Sequence, residues 1–184
     1  MRAKPLIPLV AGVLVGLLGA SGSSPGVDPA QGASTPPLDV TMLTGLLDTV
    51  RSMVPDQAHV MADVDYHFSN LWFAAQNANW PLATFYLDET KSHLNWAVRV
   101  RPKRRLSSGQ ELDLRAMLQG LENSSLAQLR AALEKRDPPA FAEAYRKTLA
   151  ECYACHAASE KPYLRPRIPE TPASHIMTFS PKPD

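Results

Sequence analysis

The chain has 184 residues and a formal net charge of +1, with 19 Lys and Arg against 18 Asp and Glu. A protein that binds nucleic acid is usually far more basic, so this charge argues against that class. The sequence contains no nucleophile–base signature, no phosphate-binding loop and no second metal motif beside the one described below, so we expect no enzyme.

The N-terminus has the pattern of a secretory signal peptide over residues 1–22. Arg2 and Lys4 form a basic head, residues 6–18 are almost continuously apolar, and small residues follow. This stretch is too short and wrongly flanked for a stable membrane span, and no nearby cysteine could carry a lipid anchor. We therefore predict export to a bacterial periplasm, with no membrane span after removal of the signal. Loss of Arg2 and Lys4 takes the count of Lys and Arg from 19 to 17, so the mature chain is close to neutral.

Residues 23–38 are rich in Ser, Gly, Pro and Ala, which cannot build a core, and we expect a disordered linker there. Residues 39–184 then form one domain of about 145 residues, a size that supports a single core.

Apolar residues recur at helical spacing from Asp39 onward, and no strand signal interrupts them. The spacing predicts helices over about 40–53, 56–78, 81–100 and 110–135, the last with a kink at Ser124-Ser125. Asp137 and Pro138 are typical of a helix N-cap and first turn. A final helix follows, in which Phe141, Tyr145, Leu149, Cys152 and His156 step by four along one stripe.

That last stripe ends in Cys152-Tyr153-Ala154-Cys155-His156, the C-x-x-C-H attachment sequence for one covalent haem c. The two thiols can add to the two vinyl groups of the porphyrin, and the imidazole can serve as the proximal iron ligand. A thioredoxin-like dithiol would need alternating strands and helices, and a zinc site would need a second ligand pair. A structural disulfide is the remaining alternative in an exported protein.

A haem motif near the C-terminus suits an antiparallel four-helix bundle with an additional N-terminal helix and a Pro-rich C-terminal tail. The chain resembles class II c-type cytochromes, the group of cytochrome c′ and its low-spin relatives. It is also similar to a group of small monohaem periplasmic cytochromes. That similarity rests on the stretches 67–74 and 79–83 and on the Pro-rich stretch 161–166 after the motif.

An electron carrier and a gas-binding protein differ in whether a side chain occupies the distal coordination position of the iron. The candidate ligands are His59, Met61, His67, His93, His175 and Met177. In an up-down bundle the start of the second segment and the end of the third lie level with the end of the last helix. The class II resemblance implies a distal residue about a dozen residues into the first bundle helix, near His67. We therefore predict that His67 is the distal iron ligand, with Met61 as the alternative. The non-functional alternative is that His67 is a core histidine hydrogen-bonded to a backbone carbonyl.

Two further groups of cations accompany the motif. Arg99, Arg101, Lys103, Arg104 and Arg105 form either a solvated helix end or a docking patch for a redox partner. Arg165 and Arg167 follow the haem motif closely and could pair with the haem propionates.

The leading hypothesis is a periplasmic monohaem protein that passes single electrons between partners. A five-coordinate gas-binding protein of the cytochrome c′ kind and a haem subunit of a larger dehydrogenase, with helix 40–53 on the partner, remain alternatives. The sequence leaves the oligomeric state open.

Overall fold

A computed structural model of this protein describes residues 39–182, and most of them are helical. The predicted signal peptide, the predicted linker and the last two residues of the predicted domain lie outside the described residues. The helices are α1 (Val40–Met53), α2 (Gln57–Gln76), α3 (Trp80–Val100), α4 (Leu114–Asn123), α5 (Ser125–Lys135) and α6 (Pro138–Ala158). None of the described helices combines the length and the apolar character that a membrane crossing requires.

Short polar side chains set where most of these helices begin, and Asp113 does so for α4. Asp56 accepts a hydrogen bond from the His59 amide at the start of α2, and Asp137 accepts one from the Ala140 amide at the start of α6. Asn79 caps α3 in the same way. Such caps satisfy amides that have no partner within the helix. The predicted cap at Asp137 and the predicted helix positions are confirmed to within a few residues.

The fourth predicted segment is two helices and not one kinked helix. Ser124 has φ −115° and ψ −99°, which ends α4 and begins α5. Two short antiparallel strands, β1 (Lys103–Arg105) and β2 (Glu111–Asp113), follow α3. β1 lies between the third and fourth predicted helices, and β2 occupies residues that were predicted as the start of the fourth. Strands of three residues carry too little periodicity to be read from a sequence. The turn between them contains Gly109 at φ +85°, a conformation that suits glycine.

The core lies where α2 packs along α3 and α5 packs along α6. Val60, Val64, Leu71 and Ala74 of the predicted α2 stripe are all buried, whereas His67 of that stripe is only partly buried. The hydroxyl group of Tyr145 on α6 donates a hydrogen bond to a carbonyl oxygen on α2, which joins the two helix pairs.

The segment after α6 packs against the core and is not the loose tail that its proline content suggested. The side-chain oxygen of buried Asn70 accepts hydrogen bonds from the backbone amides of Ala173 and Ser174, at 3.0 and 3.1 Å. Phe179 then places its ring beside Phe73 and Tyr86. The C-terminal segment is therefore part of the folded unit that contains α2 and α3.

Candidate functional site

A cavity of about 1280 Å³ lies where the first turns of α2, the last turns of α3 and the last turns of α6 meet. The sequence analysis predicted that the distal side of the iron lies at this end of the helices. Its walls are largely apolar, and include Val64, Phe68, Leu94, Leu114, Leu118 and Leu121. The volume exceeds the roughly 300–1,000 Å³ of common ligand sites. The cavity is partly open to solvent and is large enough to hold a cofactor-sized group.

Cys152, Cys155 and His156 all line this cavity from the last two turns of α6. Both cysteines are partly buried, and neither forms a disulfide in the described part of the chain. Burial raises the pKa of the Cys152 thiol to about 12, and it also raises the pKa of Cys155. A redox-active dithiol needs a lowered thiol pKa, so the environment of this pair does not favour thioredoxin-like chemistry.

The imidazole of His156 is held by the chain that follows its own helix. Its Nδ1 lies 3.0 Å from the carbonyl oxygen of Leu164. A carbonyl oxygen can only accept, so Nδ1 carries the proton and Nε2 keeps its lone pair free. A hydrogen bond of this kind to the other ring nitrogen is how proteins fix the tautomer of a ligating histidine. Sequence reasoning missed Leu164, because a backbone carbonyl leaves no signal in a sequence.

Two carboxylates fix the end of α6 against neighbouring elements. Glu151 accepts hydrogen bonds from the hydroxyl groups of Ser124 and Ser125, at 2.8 and 2.7 Å. Glu160 accepts both the backbone amide, at 3.0 Å, and the hydroxyl group of Ser107 in the turn between the strands. These bonds lower the pKa of Glu160. Glu151 directly precedes the motif and Glu160 follows it, so the motif lies between two residues whose side chains are held by hydrogen bonds.

Four cations lie at the cavity: Arg104, Lys161, Arg165 and Arg167. Arg165 and Arg167 were predicted to pair with anionic groups of the cofactor, and the structure brings both to the cavity that the motif lines. Arg167 also forms an exposed ion pair with Glu170 at 2.6 Å. Arg104 donates a hydrogen bond to the side-chain oxygen of Gln57 at 2.8 Å. The position of Arg104 on the cavity was not predicted from sequence.

The two candidate distal residues occupy different faces of α2. Met61 lines the cavity together with the motif, whereas His67 is not among the lining residues. Six residues separate them, and at 3.6 residues per turn this places them about 120° apart on the two sides of Val64. The ring of His67 instead stacks on that of His93 in α3, with centroids 4.8 Å apart. The structure therefore places Met61 at the cavity and His67 at the contact between α2 and α3.

The remaining histidine and methionine candidates lie elsewhere. His59 is exposed and contacts Asp56 at 2.8 Å, and His93 is on α3 beside His67. His175 and Met177 are exposed in the C-terminal segment. None of the four lines the cavity. Of the distal candidates, all of which are described residues, Met61 alone lines the cavity with His156. Met117 of α4, which was not predicted, lines the cavity as well.

The predicted docking patch is divided by the strand pair. Arg99, Arg101 and Arg105 are exposed, and Lys103 forms an ion pair with Glu111 at 3.0 Å. Arg104 is only partly exposed because its side chain turns toward the cavity. Lys103 and Arg105 therefore flank Arg104, a residue of the cavity wall, within β1.

No known family, curated protein or solved structure matches this chain. The site and the fold define a helical protein with a large, mostly apolar cavity, which is lined by two thiols and one oriented imidazole.

Proposed function

We propose that this protein is a periplasmic monohaem c-type cytochrome that transfers single electrons between redox partners. The observation that supports this most strongly is that Cys152, Cys155 and His156 line one apolar cavity while a backbone hydrogen bond leaves Nε2 of His156 free. The donor set fits a covalent haem, since two thiols would become thioethers and the imidazole would become the proximal ligand.

The four-helix-bundle interpretation belongs to the same proposal. The pairing of α2 with α3 and of α5 with α6 supports it, with α4 and α5 together in the place of one bundle helix. A cofactor between the helices of a bundle is a well-established arrangement. In this interpretation α1 is the additional N-terminal helix.

A bound haem supplies a one-electron redox centre. Cys152 and Cys155 would hold it covalently, His156 would bind the iron, and the thioether of Met61 is the side chain on α2 best placed for the distal position. Arg165 and Arg167 would face the propionates. The apolar walls would keep water from the centre, which affects the reduction potential.

Met61 favours electron transfer over gas binding, because its thioether would occupy the distal position that a gas ligand needs. The exposed cations Arg99, Arg101 and Arg105 would attract an acidic partner protein by long-range electrostatics. Export through the predicted signal peptide would place the protein in the compartment where such motifs receive haem.

The covalent haem is tested by expressing the mature protein with a haem-attachment system. We expect the denatured protein to retain its haem, as shown by its mass and by the pyridine haemochrome spectrum. The double variant Cys152→Ala/Cys155→Ala should lose the haem on denaturation. Mature protein that carries no covalent haem under these conditions would end this proposal.

One observation supports a second candidate, a haem subunit of a larger complex. The apolar residues of α1 are exposed, among them Leu46, Leu47 and Val50. An exposed apolar stripe of this kind commonly marks a protein interface. Co-purification of the native protein with a larger enzyme, which is lost when Leu46 and Val50 are changed to Ser, would favour this candidate over a free carrier.

A further inference from the structure

A second group of possible metal ligands lies outside the cavity. Asp63 and His67 are four residues apart on α2, and Glu89 and His93 are four residues apart on α3. Residues at this spacing lie on the same face of a helix. Since α2 packs along α3, the two carboxylate–histidine pairs face each other.

The distances within this group are short. One ligand atom from each of His67, Glu89 and His93 lies within 4.8 Å of the others. Nε2 of His93 also lies 3.8 Å from a carboxylate oxygen of Asp63. The group therefore offers two imidazoles and two carboxylates from adjacent helices.

The hydrogen bonds of the two histidines suit ligation. Nδ1 of His93 donates to the carbonyl oxygen of Glu89 at 2.8 Å, which leaves Nε2 of His93 free to bind a cation. This is the backbone contact that commonly orients a metal-ligating histidine. Nδ1 of His67 is buried and has no hydrogen-bond partner. A buried polar atom without a partner is uncommon in a folded protein, and a cation bound to this nitrogen would give it a partner.

A solvent-exposed ion-pair network is the simpler explanation of such a group. It accounts for Asp63, whose side chain is 55% exposed, but not for the orphaned nitrogen of His67 or for the stacking of two imidazoles. Two partly buried imidazoles with carboxylates on either side match the ligand types that Zn²⁺ prefers.

We propose that His67, Glu89 and His93 bind a zinc ion that joins α2 to α3, with the Asp63 carboxylate beside His93 as a further ligand. Zinc–nitrogen bonds of 2.0–2.1 Å put tetrahedral ligand atoms ~3.4 Å apart, so ligand atoms that lie up to 4.8 Å from one another must move closer by as much as ~1.4 Å. Asp63 and Glu89 can supply this movement, since their side chains are 55% and 36% exposed. None of the four residues lines the cavity of the haem motif, so the site does not depend on the haem.

Calorimetric titration of zinc chloride into the EDTA-treated mature protein tests the proposal. We expect one zinc ion per chain, and at least ~10-fold weaker binding in His67→Gln and in Glu89→Gln, since even outer-shell changes cost 10–100-fold. His175→Gln, which alters an exposed histidine, is the matched control and should bind as the wild type does.

Two further measurements keep the result decisive. Zinc could also bind the thiols of a haem-free chain, so the titration is repeated in Cys152→Ala/Cys155→Ala, where the proposed site should be retained. X-ray absorption at the zinc edge should show nitrogen and oxygen ligands without sulfur. The proposal fails if the wild type binds no zinc or if binding disappears with the cysteines. It also fails if Glu89→Gln, shown by circular dichroism to be folded, binds zinc as tightly as the wild type.

Discussion

The Nδ1 of His156 donates its proton to the carbonyl oxygen of Leu164, at 3.0 Å and eight residues further along the chain. The contact exists because the chain reverses directly after α6, where Glu160 adopts a left-handed conformation and the amide of Lys161 bonds the carbonyl oxygen of His156. The orientation of the proposed iron ligand is thus set by the C-terminal segment and not by α6 alone.

Substitution of Met61 should change the visible spectrum of the proposed haem, whereas substitution of His67 should not. We expect the wild type to be low-spin, and Met61→Ala to become high-spin and to bind carbon monoxide in the ferrous state. His67→Ala should leave the spectrum unchanged, because His67 does not line the cavity. Met61→His should stay low-spin and lower the reduction potential, since a thioether favours ferrous iron.

Visible spectra and a redox titration of these variants decide the distal ligand. If His67→Ala opens the iron site and Met61→Ala does not, His67 is the ligand despite its position. A wild type that is already high-spin would favour the gas-binding alternative.

Replacing Asn70 should loosen the C-terminal segment. In Asn70→Leu the amides of Ala173 and Ser174 lose their acceptor. Unmade buried hydrogen bonds cost about 1–3 kcal/mol each, and loss of the unpaired amide nitrogen of Asn70 offsets part of this. We expect the free energy of unfolding to fall by about 2 kcal/mol in urea titrations. The exposed Asn123→Leu is the control, and an equal loss in both variants would contradict the role of Asn70.

Glu160 should make a contribution to stability that depends on pH. Its hydrogen bonds from Ser107 lower its pKa below the ordinary value of 4.5, so the folded state favours the carboxylate. The stabilisation is present above that ordinary value and is lost as pH falls through the lower folded value. Glu160→Gln should therefore be less stable than the wild type in denaturant titrations at neutral pH, and the difference should shrink in acid. If Glu160→Gln lowers the free energy of unfolding equally at neutral and at acid pH, ionisation of Glu160 is not the cause of the stabilisation.

Gly120 and Gly109 should respond oppositely to alanine. Gly120 lies within α4 with no atom within 4 Å of a Cβ placed there, so Gly120→Ala should stabilise the haem-free chain by about 1 kcal/mol through helix propensity. Gly109 has equal space but φ +85°, so Gly109→Ala should be destabilising. Thermal melts of the two variants check this. A stabilising Gly109→Ala would show that the turn relaxes.

The sequence by itself determined the helices, because their apolar spacing, the Asp137 cap and the proline positions are local properties. It also determined the C-x-x-C-H motif, whose chemistry depends on five consecutive residues. The buried stripe of α2 was likewise readable, since Val60, Val64, Leu71 and Ala74 are all buried.

Only the tertiary structure decided which face of α2 meets the motif. His67 and Met61 are close in sequence, and their separation around the helix matters only because Met61 shares a cavity with the α6 motif while His67 lies beside His93 of α3. The Leu164 contact and the short strand pair join residues six to ten positions apart through turns, which a periodic pattern does not record. The break at Ser124 is accompanied by a hydrogen bond to Glu151 on α6, 27 residues further along the chain. A periodic pattern records that a residue is near the core, but not which neighbour it meets there.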